Sequence, residues 1–275
     1  MFTSKNTRMN THQTQYLSVF IIMLLTTLFF SSVALARGNG STFTVNSTAS
    51  LSDAALDGIC DTGQTIGKEP ECTLRAALEE ANFSVGMADN ITFDISGCMN
   101  SVCLISNAMP MPVITDTVVI DGSTQPGNSG VCSSAIPDRP TYGIVISGTQ
   151  LQLDPGSDGS VIRGLNIIGS SSNLSIYSND NIIECNYIGT DEYGEANVSI
   201  SSEGISMECS ASNNIIGGTL PEDGNLIAGH NQLGISISSV SSCTTKDLPL
   251  EMSFWAIILA PINKALASTE TTIRT

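Results

Sequence analysis

Cleaving an acetal linkage by acid–base catalysis takes two carboxyl groups at a set separation, one of them kept protonated. The alternative is a base that removes the proton beside a carboxylate. Carboxylates are concentrated in and beside NIIECNYIGTDEYG (residues 181–194), where Asp180, Glu184, Asp191 and Glu192 fall close together. Arg163, just before Gly164, is the candidate base; it and Arg139 are the only arginines between Arg75 and Arg274. His230 is the only histidine after His12. Each also has a plain structural reading. Acidic residues are common at turns, an arginine before a glycine corner packs its stem over a neighbouring strand, and a lone histidine at a Gly-Asn corner is a solvated turn residue. Asp180, Asp191 and Arg163 are therefore carried as weak catalytic candidates only.

Metal and cofactor chemistry find less support. Asp154-Pro-Gly-Ser-Asp158-Gly159 has acidic residues at the first and fifth positions of a calcium loop and glycine at the sixth, but Gly156 and Leu165 stand at the third and twelfth. Calcium at scattered acidic turns stays open, and no other cofactor is expected. There is no phosphate loop, dinucleotide fingerprint or serine nucleophile elbow. Eight cysteines, Cys60, Cys72, Cys98, Cys103, Cys132, Cys185, Cys209 and Cys243, could in principle hold zinc, but no C-x2-C pair occurs.

Their compartment decides how those thiols are read. Lys5 and Arg8 precede an uncharged apolar run (16–30), and Ala34-Leu35-Ala36 supplies a small-x-small cleavage site. The expectation is a signal peptide removed after Ala36, with retention as an anchor as the alternative. In an oxidising compartment an even cysteine count favours disulfides. Cys60 with Cys72 and Cys98 with Cys103 are the local pairs that close short polar loops, and Cys185 and Cys209 sit about one repeat apart. Lysine and arginine total 10 against 26 acidic residues, a net charge of −16. That balance argues against nucleic acid and anionic membrane surfaces as partners.

The elements that must position these residues are short. Between residues 90 and 242, runs of a few aliphatic residues such as ITFDI, VIRGLNIIG, NYIG and NNIIGG end in Gly, Asn, Asp or Ser and recur roughly every ten residues. Two-residue hairpin signals are largely missing between them. A coil explains both features. Three short strands per turn would each pair in parallel with the equivalent strand one turn on, about 4.8 Å away. Aliphatic residues would stack inward, with Asn and Gly at the corners; Leu165 and Ile167 then point inward and Asn166 outward. The one clear helix is CTLRAALEEAN (72–82), with Leu74, Ala77, Leu78 and Ala81 on one face and Thr73 as its N-cap. Arg75, Glu79 and Glu80 are expected on its solvated face.

CTLRAALEEAN resembles the CSLREA motif, and IDGSTQPG, VIRGLNIIG, NYIGTDEYG and NNIIGGT resemble the segments that follow it in secreted bacterial proteins of the pectate-lyase-like parallel β-helix type. The resemblance covers about residues 41–237. It implies an all-β fold, a right-handed single-stranded parallel β-helix or solenoid with an N-terminal capping helix, and an exported location. It implies no single reaction, since many members act as surface or adhesive proteins. Thr73 and Ala76 replace the first Ser and the Glu of the motif, so the reciprocal capping partner is absent. The polygalacturonase pattern NTD, DD, GHG and RIK is also missing.

The expected organisation is a signal peptide (1–36), an N-terminal cap (37–89), a parallel β-helix (90–242) and an atypical tail (243–275) read as a solenoid cap or as the product of truncation or frameshift. The expected function is that of a secreted or cell-surface protein, not catalytic, acting in adhesion or in contact with polysaccharide or cell-surface glycans. No stable membrane span is expected after signal cleavage, and the oligomeric state is left open. Two alternatives stand beside it: a polysaccharide lyase or glycoside hydrolase acting on uronic-acid polymers, and a non-functional fragment.

Overall fold

The computed structural model describes residues 39–106, 109–128, 143–195, 201–208, 211–220, 223–238, 253–254 and 257–258. The expected signal segment, Arg139, Cys132, Cys209, Cys243 and nearly all of the tail lie outside the described residues. Within them the fold is all-β and built on parallel sheets. The first sheet contains β1 (Asn39–Val45), β4 (Ala88–Phe93), β6 (Val118–Asp121), β9 (Val161–Arg163), β12 (Ile182–Glu184), β15 (Ile215–Ile216) and β18 (Ser253–Phe254), in that spatial order. The second runs β5 (Cys103–Ser106), β7 (Ile144–Ser147), β10 (Asn166–Ile168), β13 (Tyr187–Ile188), β16 (Asn225–Ile227) and β19 (Ile257–Ile258). The third runs β8 (Leu151–Leu153), β11 (Ser172–Ile176), β14 (Glu203–Glu208) and β17 (Leu233–Ser238). A small antiparallel hairpin, β2 (Thr65–Ile66) and β3 (Glu69–Pro70), stands apart from the three sheets.

From β7 to β19 the chain visits the second, third and first sheets in strict rotation. Ile114, bridged in parallel to Leu153, occupies the third-sheet position between β5 and β6. The register explains why such short strands hold. In the first sheet Phe43, Ile91, Ile120, Ile162, Ile183 and Ile216 follow one another across the strands. In the second, Ile105, Ile146, Ile167, Ile188 and Ile227 do the same. All of these are buried in one core cluster. A strand of two or three residues contributes one inward side chain, or two in β8, where Leu151 and Leu153 both reach the core. Stacking repeats that burial, worth about 1.5–3 kcal/mol per large aliphatic residue, from one row to the next.

Corners are closed by buried amides. Asp180, Cys185 and Asn213 adopt left-handed backbone with φ of 58°, 59° and 58°, and each is followed by a fully buried asparagine: Asn181, Asn186 and Asn214. Asn181 Oδ1 accepts from Ser160 N, and Asn214 Oδ1 accepts from Asn181 N, both at 2.9 Å. At the next corner Asn186 Oδ1 accepts from Leu165 N at 3.1 Å and Asn225 Oδ1 from Asn186 N at 3.0 Å. Each amide thus receives a main-chain donor from the preceding row, while its own NH2 returns to carbonyls such as Ile162 O and Glu184 O.

The helix α1 (Leu74–Phe83) packs against β1 and β4. Leu74, Ala77, Leu78 and Ala81 are buried, and the Thr73 hydroxyl accepts from Ala76 N at 3.1 Å. The opposite side of the helix differs from the expected solvated face: Arg75 is buried and Glu80 is fully buried. The cause is the loop at 50–61, which wraps over the helix and donates its backbone amides. Glu80 accepts from Asp57 N and Gly58 N at 3.0 and 2.7 Å, and Glu79 from Asp53 N at 2.8 Å. Arg75 donates to Pro110 O at 2.6 Å. Disulfides join Cys60 to Cys72 and Cys98 to Cys103, and Cys185 is also disulfide-bonded.

Asn166 alternates away from the core row yet is fully buried. Its neighbours in register, Val145, Tyr187 and Leu226, are buried too, but outside the core cluster. The outer side of the second sheet is therefore covered from β7 to β16, whereas Leu104 of β5 is exposed. Gly194 takes part: a Cβ there would press on Leu226 and the Tyr187 ring, so the turn after β13 lies over them.

Candidate functional site

Asp121, Arg163 and Glu184 end β6, β9 and β12 and face one another in register. Alternation against the inward Ile120, Ile162 and Ile183 puts all three on the outer side of the first sheet. Arg163 Nη2 donates to Asp121 Oδ2 at 2.6 Å, and its Nη1 lies 3.7 Å from Glu184 Oε1. Asp121 Oδ1 accepts from Ser123 N at 3.0 Å, which fixes the carboxylate. The hydrogen bond to Asp121 holds the guanidinium pKa above its ordinary value, against the effect of burial. Burial raises the Glu184 carboxyl, Asp223 adds repulsion, and Arg163 opposes both. Chemically this is an acid with a raised pKa beside a clamped cation; the arginine is held charged rather than poised to accept a proton.

The other two weak candidates do not join this ladder. Asp180 is an exposed corner residue in left-handed backbone. Its role there is conformational, because aspartate tolerates that region better than most residues. Asp191 is half-buried and accepts from Tyr193 N and Glu195 N at 3.2 and 2.8 Å, so its carboxylate is used by its own turn. The three candidates are thus distributed between a ladder, a corner and a turn.

His230 is not a solvated turn residue. Its Nδ1 shares a hydrogen bond with Ser201 Oγ at 3.1 Å. A Cβ on either Gly189 or Gly204 would collide with the imidazole, so two glycines make the space that the ring fills. Burial pushes its pKa down to about 4, with the Ile188 main chain opposing. The spacing predicts no such cradle, since both glycines lie one row before the histidine they surround, Gly189 after β13 and Gly204 in β14.

Two buried carboxyls near the helix complete the electrostatics. Burial raises the Glu80 carboxyl above its ordinary value, opposed by the hydrogen bonds it accepts from two backbone amides. Burial likewise raises Asp89, opposed by hydrogen bonds from Ser84 Oγ and Ser41 N. Among the described residues no group of three or more His, Cys, Asp or Glu is arranged to hold a metal ion, and no helix is long and apolar enough to cross a membrane. No family model matches the chain, and no curated protein matches it.

Proposed function

We propose that the three parallel sheets are the faces of a right-handed, single-stranded β-helix, with α1 covering its N-terminal end. The protein is exported, is not a catalyst, and acts through polar outer faces in adhesion or glycan contact. The observation that carries this reading is the tethering of Arg163 between Asp121 and Glu184. The residue best suited by type to start elimination from a uronate is occupied in holding three rows together, and Asp180 and Asp191 serve a corner and a turn. The CSLREA-like helix and the repeated segments support export and a surface role.

The enzymatic reading keeps one specific point in its favour, the raised Glu184 carboxyl on an accessible sheet face. Incubating the purified protein with pectin, polygalacturonate and alginate, with and without calcium, separates the two. The expected result is neither new reducing ends nor unsaturated product. Turnover that disappears in Asp180→Ala, Asp191→Ala or Glu184→Gln would overturn the proposal in favour of a lyase or hydrolase.

A further inference from the structure

Beside β1, the loop before α1 and the β2–β3 hairpin leave a groove of about 560 Å³. Thr42 and Thr44 line it; both are exposed and alternate with the buried Phe43 and Val45. Aliphatic side chains line it as well, Ile59 at 61% and Ile66 at 39% exposure. Glu69 and Asp94 add exposed carboxylates, and neither forms an ion pair among the described residues. The walls are fixed without a ligand. Asn46 Nδ2 donates to Pro70 O and its Oδ1 accepts from Cys72 N, both at 2.9 Å, and the Cys60–Cys72 disulfide ties the loop to the start of the helix. The volume falls within the range of about 300–1,000 Å³ usual for small-ligand sites.

This mixture of surfaces selects its occupant. Sugar rings offer hydroxyl donors to carboxylates and threonine oxygens, and C–H faces to isoleucine. A polyuronate carries a carboxylate on every ring, and Glu69 and Asp94 would repel it on a chain already at −16. We propose that this groove is a binding subsite for an uncharged glycan, a chain of hexose or N-acetylhexosamine units. The proposal rests on the glycan-contact reading above.

Calorimetric titration of the purified protein with cellohexaose, chitohexaose and hexagalacturonate tests it. At least one neutral hexamer should bind. Ile59→Asp and Asp94→Asn should each weaken that binding about tenfold or more, and Thr44→Trp should block it. Gln232→Ala, at an exposed site far along the chain, should leave it unchanged, and circular dichroism melts should show that every variant folds. Wild-type affinity in all three groove variants would overturn the groove while leaving glycan contact standing. Preference for hexagalacturonate would overturn the charge argument and with it the assigned ligand class. Binding to none of the three hexamers would remove the glycan-contact reading and the groove together.

Discussion

The N-terminal part, residues 39–106, and the rotating part, residues 143–238, solve one problem by different chemistry. Both must satisfy buried backbone amides where the chain leaves regular structure. Around α1 this falls mainly to carboxylates: Glu80 and Glu79 accept from amides of the loop at 50–61, which the Cys60–Cys72 disulfide ties down, and Asp89 accepts from Ser41 N in β1. In the rotating part it falls to Asn181, Asn186, Asn214 and Asn225. A carboxylate only accepts, so it can end a structure but cannot pass a hydrogen bond on. An amide both accepts and donates: Asn186 accepts from Leu165 N and donates to Ile162 O in the preceding row and Glu184 O in its own. Stacked carboxylates at strand spacing would also repel one another, whereas stacked amides do not.

The largest test of that contrast is Asn186→Leu. It strands Leu165 N and the carbonyls of Ile162 and Glu184, all inside the structure. Several unmet buried groups should cost roughly 3–5 kcal/mol. Equilibrium denaturation would measure it, and a loss under 1 kcal/mol would show that the ladder is dispensable. On the other side of the comparison, replacing Cys60 and Cys72 by serine releases a loop with a sequence separation of 12. The expected loss is about 3 kcal/mol, read by the same denaturation. Unfolding confined to the N-terminal signal would sharpen the distinction between the two parts.

His230 gives the clearest sign. Its folded pKa of about 4 lies below the ordinary 6.5, so the fold prefers the neutral ring. The stability it supports is complete above pH 6.5 and is lost as pH falls from there through 4, up to about 3 kcal/mol. Glu80, Asp89 and Glu184, with raised values, act in the opposite sense, because acidification relieves their buried charge. The difference in stability between wild type and His230→Gln across pH 4–7 isolates the histidine. A pH-independent difference would rule out the depressed value.

What could be read from the sequence was whatever repeats locally. The aliphatic spacing announces parallel strands, and the Leu74, Ala77, Leu78 and Ala81 stripe announces a helix, because both periods lie within a few residues. What could not be read depends on coverage by distant segments. Glu80 looks solvated until the loop at 50–61 folds over it, and Arg75 until the chain at Met109 and Pro110 meets it. Asn166 looks exposed until the outer side of its sheet is covered, and His230 looks like a turn residue until Gly189 and Gly204 meet around it. Residue type alone marks Arg163 and Asp180 alike as candidates, and cannot distinguish a charge held in a ladder from one at a corner.

The corner hydrogen bonds from Ser160 to Asn181 and from Leu165 to Asn186 both span 21 residues. That interval returns the chain to an equivalent position with the same kind of inward side chain and the same kind of amide. A gene encoding such a chain can grow or shrink by duplicating or deleting whole intervals, and each new junction meets a surface it already fits. Longer intervals, 33 residues from Asn181 to Asn214 and 39 from Asn186 to Asn225, keep the same corner bonds, so extra sequence is accommodated between strands. Variation in length therefore falls on connecting segments, where new surface chemistry can arise without altering the stack beneath.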